Sequence, residues 1–148
     1  MKGVLEVLIK EISVFLENRP GRVAEVTSIL GEKGIDIWAL TISDTSRFGI
    51  LRIIVDKPEL AEKVLKEREL TVSCTNVLAI SVKDKPGGLA SVLELLAGEE
   101  LSVEYMYAVG RYKEGAVIII KAKEPERAVE RLGSSGINVL SGDALADL

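Results

Sequence analysis

The sequence has no histidine and no glutamine, and it has a single cysteine among 148 residues. Because histidine is the commonest metal ligand and the usual general base near neutral pH, its absence removes most zinc, copper and acid–base chemistries. The lone Cys74 can form neither an internal disulfide nor a CxxC site. We therefore expect no metal, no cofactor and no catalytic residue, and we interpret Cys74 as a buried structural thiol.

Aromatic residues are also scarce, at 4% of the chain, and no apolar run reaches the roughly 18 residues that span a bilayer. The 19 lysines and arginines are outnumbered by 23 aspartates and glutamates, and the net charge of −4 argues against a nucleic-acid partner. Strand-like alternation follows Met1-Lys2-Gly3 without a cleavage site, so we expect no signal peptide, no membrane partner and a cytoplasmic protein. The lack of glutamine beside many lysines and glutamates is typical of heat-adapted proteins.

What the sequence does contain is an internal repeat. The run Asn18-Arg19-Pro20-Gly21-Arg22-Val23-Ala24 recurs 66 positions later as Asp84-Lys85-Pro86-Gly87-Gly88-Leu89-Ala90. Apolar positions around this motif keep the same offset, and after the pair Gly49 and Gly115 the offset becomes 67, so that Pro58-Glu59 matches Pro125-Glu126. A collinear pattern of this length predicts two copies of one unit.

Each copy reads as strand, helix, strand, strand, helix, strand. Period-two alternation predicts strands at Ile12–Glu17 and Leu78–Lys83, and apolar residues at helical spacing follow each Pro-Gly pair. The cap-type residues Asn18 and Asp84 are candidates to cap those helices. The other predicted elements are the strands Asp36–Ser43 and Gly49–Val55 around Asp44-Thr45-Ser46-Arg47, their counterparts Ser102–Val109 and Gly115–Lys121, helices from near Pro58 and Pro125, and closing strands Leu70–Ser73 and Asn138–Leu140.

A βαββαβ unit with right-handed crossovers forms an antiparallel sheet with both helices on one face. The predicted fold class is therefore α+β, with two tandem ferredoxin-like domains at residues 1–74 and 75–148. In the third strand Ile50 and Ile54 lie on one face, and the apolar residues between and after them lie on the other. Since helices cover only one face, we expect the second face to be partly buried by another domain or another chain.

The repeated motif resembles the ACT domain family. The resemblance rests on an Asn or Asp, a Pro-Gly pair and a small residue before a helix, and on Gly34-Ile35-Asp36-Ile37 opening the next strand. It covers nearly the whole chain and implies a stand-alone tandem ACT protein without a catalytic domain. It also implies that a small ligand, usually a free amino acid, binds at an interface between paired ACT domains and regulates an enzyme of amino-acid metabolism. The second copy departs from the pattern at Glu100-Leu101-Ser102-Val103.

The residues themselves suit an amino-acid ligand. A helix N-terminus offers N–H groups and a positive dipole end to a carboxylate, and a glycine there leaves no Cβ in the way. Side-chain oxygens of Asn18, Asp36 and Asp84 are acceptors for the ammonium group, and nearby cations add charge for the carboxylate. The predicted ligand-binding residues are Asn18, Arg19, Pro20, Gly21, Arg22, Val23, Asp36, Ile37, Asp84, Lys85, Pro86, Gly87, Gly88, Leu89, Ser102 and Val103.

Plainer interpretations stay open at each position. Asn18 and Asp84 serve equally well as helix caps, the Pro-Gly pairs as turns, and Asp36 as a solvated strand end. The aromatic residues Trp38, Tyr105 and Tyr107 would suit base stacking, but the acidic charge favours the core or an interface.

Three functions follow from these alternatives. We expect an amino-acid-binding regulatory protein that forms a homodimer or higher oligomer, with the first copy binding more tightly than the second. The alternative is a ligand-free interaction module. A small enzyme is disfavoured because the sequence has no recognisable nucleophile motif.

Overall fold

The computed structural model describes residues 3–44 and 47–148. Its helices and strands follow the order α1 (Val4–Val7), β1 (Ile9–Glu17), α2 (Arg22–Glu32), β2 (Ile37–Asp44), β3 (Phe48–Val55), α3 (Pro58–Glu67), β4 (Thr71–Lys83), α4 (Gly88–Gly98), β5 (Val103–Tyr112), β6 (Gly115–Ala122), α5 (Pro125–Ser134), β7 (Asn138–Leu140) and α6 (Gly142–Ala146). They form two compact units. The first unit is Lys10–Thr75, and the second unit is Asn76–Leu148 together with the described residues before Lys10.

The first unit has the predicted ferredoxin-like arrangement. Its strands lie in the order β2-β3-β1-β4, and β3 pairs antiparallel with both β1 and β2. The β2–β3 pairing confirms the predicted hairpin partners, although Thr45 and Ser46 at its turn lie outside the described residues. The core is formed where alternate strand side chains meet the apolar stripes of α2 and α3, with Ile12, Ile53, Val26, Leu30 and Leu65 at its centre.

The second unit repeats this arrangement with strands in the order β7-β4-β6-β5. Its core joins Ile80 and Ile120 of the sheet to Leu96 of α4 and Leu132 of α5. The chain before Lys10 also belongs here, because Val7 and the following leucine pack against this core. From the sequence we expected residues 1–74 to form the first domain. The second copy has no helix that corresponds to α1, so the repeat gave no indication of where α1 packs.

Strand β4 is longer than the sequence indicated. We predicted a closing strand at Leu70–Ser73 and a separate strand at Leu78–Lys83, but the structure has one strand of 13 residues. The segment Thr71–Lys83 contains neither glycine nor proline, so no residue interrupts the extended backbone between the two apolar runs. The boundary between the two units therefore lies inside a strand.

The face of each sheet opposite the helices is partly buried, as the two-sided apolar pattern predicted. Ile54 lies between two core residues of β3, on the opposite face of the sheet, yet it is only 1% exposed. Val117 and Ile119 of β6 are fully buried. These side chains are absent from the two helix-facing cores.

The helix ends show a difference between the repeats that has a measurable consequence. After α2, Gly34 has a φ of 68°, whereas Glu100 holds the same position after α4 with a φ of 55°. A non-glycine residue in this left-handed region costs about 1–2 kcal/mol. We expect Glu100→Gly to stabilise the chain by about 0.5–1 kcal/mol, after the added unfolded-state entropy of glycine is subtracted.

Thermal unfolding measures this effect, with an expected rise in Tm of about 1–4 °C. Gly34→Ala is the matched reverse change and should lower the Tm. A fall in Tm for Glu100→Gly would contradict the claim that the left-handed backbone conformation of Glu100 is strained.

Candidate functional site

The two Pro-Gly motifs form two helix starts of the same geometry. Gly21 precedes α2 with φ 87° and ψ −10°, and Gly87 precedes α4 with φ 86° and ψ −9°. Neither helix start has a side-chain capping hydrogen bond. A Cβ at either glycine would meet nothing within 4 Å, so glycine is required by the positive φ and not by a close approach. Within the described residues, the residue at the N-cap of either helix therefore supplies no side-chain cap to the first turn.

The predicted capping role of Asn18 and Asp84 is wrong. A capping residue stands directly before the first helical residue. Here a glycine holds that place, and a basic residue and a proline separate it from each predicted cap. The backbone N–H of Asn18 instead donates to the carbonyl of Arg47 at 2.8 Å. The Asp84 carboxylate pairs with Arg111 Nε at 3.0 Å.

The first unit has a groove of about 320 Å³ beside the start of α2, which we call the first groove. Arg22, the first residue of α2, contributes its guanidinium, which is 20% exposed and bonded through Nη1 to Glu25 Oε2 at 2.6 Å. Two phenylalanines that are about half exposed, Phe15 and Phe48, supply the apolar surface. The lining residues are Phe15, Leu16, Glu17, Arg22, Phe48, Glu69, Leu70 and Thr71.

The second unit has two adjoining depressions at the equivalent place, of about 340 and 450 Å³. Their lining combines charges of both signs with polar and aliphatic residues. The lining residues other than glycine are Ser81, Val82, Lys83, Asp84, Lys85, Ser91, Val92, Glu114, Ile137 and Asn138. Gly88 replaces the arginine of the first groove.

Gly88 is required by close packing. A Cβ at this position would lie 2.0 Å from the carbonyl oxygen of Lys83. The two helix starts therefore share a backbone geometry but differ in the side chains around them.

A fourth depression of about 340 Å³ lies near the other end of α4. Both of its arginines have internal partners, because Arg131 Nε lies 3.3 Å from Glu99 Oε1 and Arg127 Nη1 donates to Glu124 Oε2 at 3.0 Å. The depression lies away from the Pro-Gly helix starts, and we do not treat it as the candidate site.

The predicted residues at the openings of β2 and β5 lie outside these four depressions. Asp36 is exposed, and its N–H donates to Asp56 Oδ1 at 2.9 Å, while Ile37 begins β2. Ser102 is exposed just before β5, which begins at Val103.

The remaining predicted residues are mostly at the surface. Arg19 pairs with Glu17 at 3.3 Å, and Pro20 and Pro86 are exposed. Val23 is 37% exposed, whereas Leu89 packs against the core of the second unit.

The interpretation of Cys74 as a buried thiol is wrong, since the residue is exposed in the stretch of β4 that precedes its buried half. Partial burial of the thiol raises the pKa of Cys74 to about 11, and a hydrogen bond with Glu62 adds to the shift. A thiol with this pKa is almost fully protonated at neutral pH and is a poor nucleophile. Nearby, the hydrogen bond with Glu59 raises the pKa of Lys10, and the same bond lowers the pKa of Glu59.

We expect alkylation of Cys74 by iodoacetamide at pH 8 to be about 100-fold slower in the folded chain than in the unfolded chain. The factor follows from raising the pKa from 9.0 to about 11. Because the folded state holds this proton more tightly, the associated stability is complete below about pH 9 and is lost as the pH rises towards 11. Glu62→Gln should accelerate the reaction, and equal rates in the folded and unfolded chains would refute the shift.

Phe15 and Phe48 were not among the residues predicted from the sequence. A signal was available, because the repeat places Ser81 and Glu114 at the corresponding positions. Half-exposed phenylalanines in one copy against polar residues in the other indicate a local difference in chemistry.

The described part of the chain contains no cluster of three potential metal-ligating side chains. In the same residues, no helix has the length and apolar character required to span a membrane.

Comparisons with known proteins agree with this architecture. The structure of protein BT0572 from Bacteroides thetaiotaomicron matches with a TM-score of 0.90 and 37% identity, over 96% of this chain and 98% of that one. The regulatory subunit of aspartate kinase from Thermus thermophilus matches with a TM-score of 0.64 and 18% identity, over 86% and 93% of the two chains. No curated protein sequence matches. The family model for the ACT domain pair matches residues 7–148, and the chain therefore belongs to the ACT domain pair family.

Proposed function

We propose that this protein is a non-catalytic regulatory protein that binds a free amino acid next to its Pro-Gly helix starts. The observation that carries the proposal is the pair of helix N-termini without side-chain caps, set at Gly21 and Gly87 with nearly identical backbone angles. The same fold occurs in a regulatory subunit of aspartate kinase, which supports a regulatory role.

The ligand's two charged groups have complementary partners at these starts. Backbone N–H groups and the helix dipole attract its carboxylate, and Arg22 or Lys85 adds positive charge. The ammonium group bonds to the side-chain oxygen of Asn18 in the first unit or of Asp84 in the second. Asp36 and Ser102 lie outside the depressions beside these starts, so we assign them no contact with this ligand.

Regulation requires that the ligand bind two states of the protein with different affinity. We propose that the liganded state changes the affinity of this chain for a partner enzyme of amino-acid metabolism. The chain itself contributes no catalytic group in this proposal.

A thermal-shift screen of the free amino acids tests the function. At a concentration 100 times its Kd, a ligand adds about 2.7 kcal/mol of stability, which corresponds to a rise in Tm of about 5–10 °C. Asn18→Ala should weaken binding at the first unit and Asp84→Ala at the second, because each change removes the proposed acceptor of the ammonium group. Asp143→Ala, an exposed change in α6, is the control and should leave the affinity unchanged.

The notion of an amino-acid sensor fails if no amino acid shifts the Tm and calorimetry is flat at millimolar ligand. The second candidate function, a ligand-free assembly module, would then be preferred. It is favoured by β2, an edge strand whose Leu40 and Ile42 are 52% and 48% exposed. Light scattering separates the two functions. The assembly module predicts a mass of at least twice that of the 16.0 kDa chain, and the Ile42→Lys variant should have a smaller mass.

A further inference from the structure

We propose that the first groove selects an amino acid with an apolar side chain, and that the equivalent place in the second unit does not. This inference rests on the proposed function and adds the class of ligand. Three kinds of surface meet in the first groove: the Arg22 guanidinium, the carboxylates of Glu17 and Glu69, and the rings of Phe15 and Phe48.

These groups match the three parts of such a ligand. Among the described lining residues Arg22 is the one cation, and it binds the ligand carboxylate. Its Nη1 is engaged by Glu25, but its Nε has no hydrogen-bond partner among the described residues. Glu69 attracts the ammonium group, together with Glu17, whose side chain is 60% exposed and also pairs with Arg19 at 3.3 Å.

The phenylalanines select the side chain. Phe15 is 48% exposed and Phe48 is 53% exposed, while Leu16 and Leu70 form a buried floor at 4% and 7%. An apolar ligand side chain that covers the phenylalanine rings removes both apolar surfaces from water, which favours binding. A charged ligand side chain would have to give up its own hydration to cover the same rings.

The size of the groove favours one small molecule over a protein segment. Its volume of about 320 Å³ lies at the lower end of the range of about 300–1,000 Å³ that is common for small-molecule sites. Charges of both signs beside an apolar wall suit a zwitterion, whereas a self-associating surface would be depleted of charge at its centre.

The second unit lacks the aromatic surface and the arginine of the first groove. At the repeat positions of the two phenylalanines it has Ser81 and Glu114, at Glu17 it has Lys83, and at Arg22 it has Gly88. Its described lining contains the aliphatic residues Val82, Val92 and Ile137 but no aromatic ring that could cover a large apolar side chain. Because the two places share a fold and a helix start, the difference in ligand class is carried by the side chains alone.

Calorimetry on the full chain tests the selectivity. L-Leucine and L-phenylalanine should bind at least about tenfold more tightly than L-aspartate, L-lysine or glycine. Removing either charged group from the ligand, as in phenethylamine or 3-phenylpropionate, should also weaken binding by at least about tenfold.

Phe48→Ser should raise the Kd of L-leucine by about tenfold, and Phe15→Ser should act in the same direction. Met106→Ser is the matched control, because Met106 is a similarly exposed apolar residue on β5, at 40%, and lies outside the groove. Circular dichroism confirms that each variant is folded before its affinity is compared.

The outcomes separate this inference from the proposed function. If a polar amino acid binds and Phe48→Ser leaves its Kd unchanged, the inference is overturned and the regulatory function stands. If Phe48→Ser changes only the mass in light scattering, the phenylalanines form a protein interface and the inference is also overturned. If no amino acid binds, both proposals fail.

Discussion

We expect the Gly88→Ala variant to unfold about 6–10 °C below the unmodified chain. The added Cβ would lie 2.0 Å from the carbonyl oxygen of Lys83 and 3.1 Å from its carbonyl carbon. Since the obstructing atoms are backbone, a side-chain rotation cannot relieve the clash, and the helix start or the end of β4 has to move. Displacements of this kind cost about 3 kcal/mol, and a domain of this size loses about 2–4 °C for each kcal/mol.

The same helix supplies the control for this variant. Gly98, the last residue of α4, has nothing within 4 Å of an added Cβ. Gly98→Ala should therefore be neutral or slightly stabilising, because alanine favours a helix more than glycine does. If Gly88→Ala unfolds at the same temperature as Gly98→Ala, the close approach at the start of α4 is wrong.

The second large effect concerns the two hydrophobic cores. Leu65 of α3 and Leu132 of α5 are repeat counterparts, and both are fully buried. Truncating either to alanine removes buried methyl groups and leaves a cavity, at a cost of about 2–5 kcal/mol. Against a total stability of about 5–15 kcal/mol, each change is expected to be severe.

Chemical denaturation measures both losses. Because the two leucines occupy equivalent places in equivalent folds, we expect their costs to agree within about 1 kcal/mol. Leu60→Ala in α3 is the control, since Leu60 is 36% exposed and should cost less than 1 kcal/mol. A cost for Leu65→Ala no larger than that of Leu60→Ala would contradict the described core.

Local patterns in the sequence were sufficient for the repeated fold. Pro58 and Pro125 begin α3 and α5 as predicted, because proline at the first turn loses no helical hydrogen bond. Period-two alternation located β1, and its partner strand followed from antiparallel pairing. These elements depend on residues that are close in sequence, and local propensity and periodicity report on such residues directly.

Capping and strand length depended on geometry that spacing alone does not contain. Asn18 and Asp84 have the chemistry of caps, yet the Pro-Gly turn places Gly21 and Gly87 at the helix starts. The two apolar runs around Asn76 looked like separate strands, but the backbone between them continues in one strand. In both cases the deciding quantity is a backbone dihedral angle.

The α+β repeat and the Pro-Gly helix starts followed from local sequence patterns, and the composition removes histidine chemistry. That Phe15, Arg22 and Phe48 line one groove followed only from the folded chain, because they belong to three different elements and Phe48 lies more than 25 residues beyond the other two. The tertiary structure also decided that Val7 packs with the second unit and not with the residues that follow it. The physical reason is the same in each case: burial depends on which surfaces the fold brings together, and periodicity shows only that a surface is apolar.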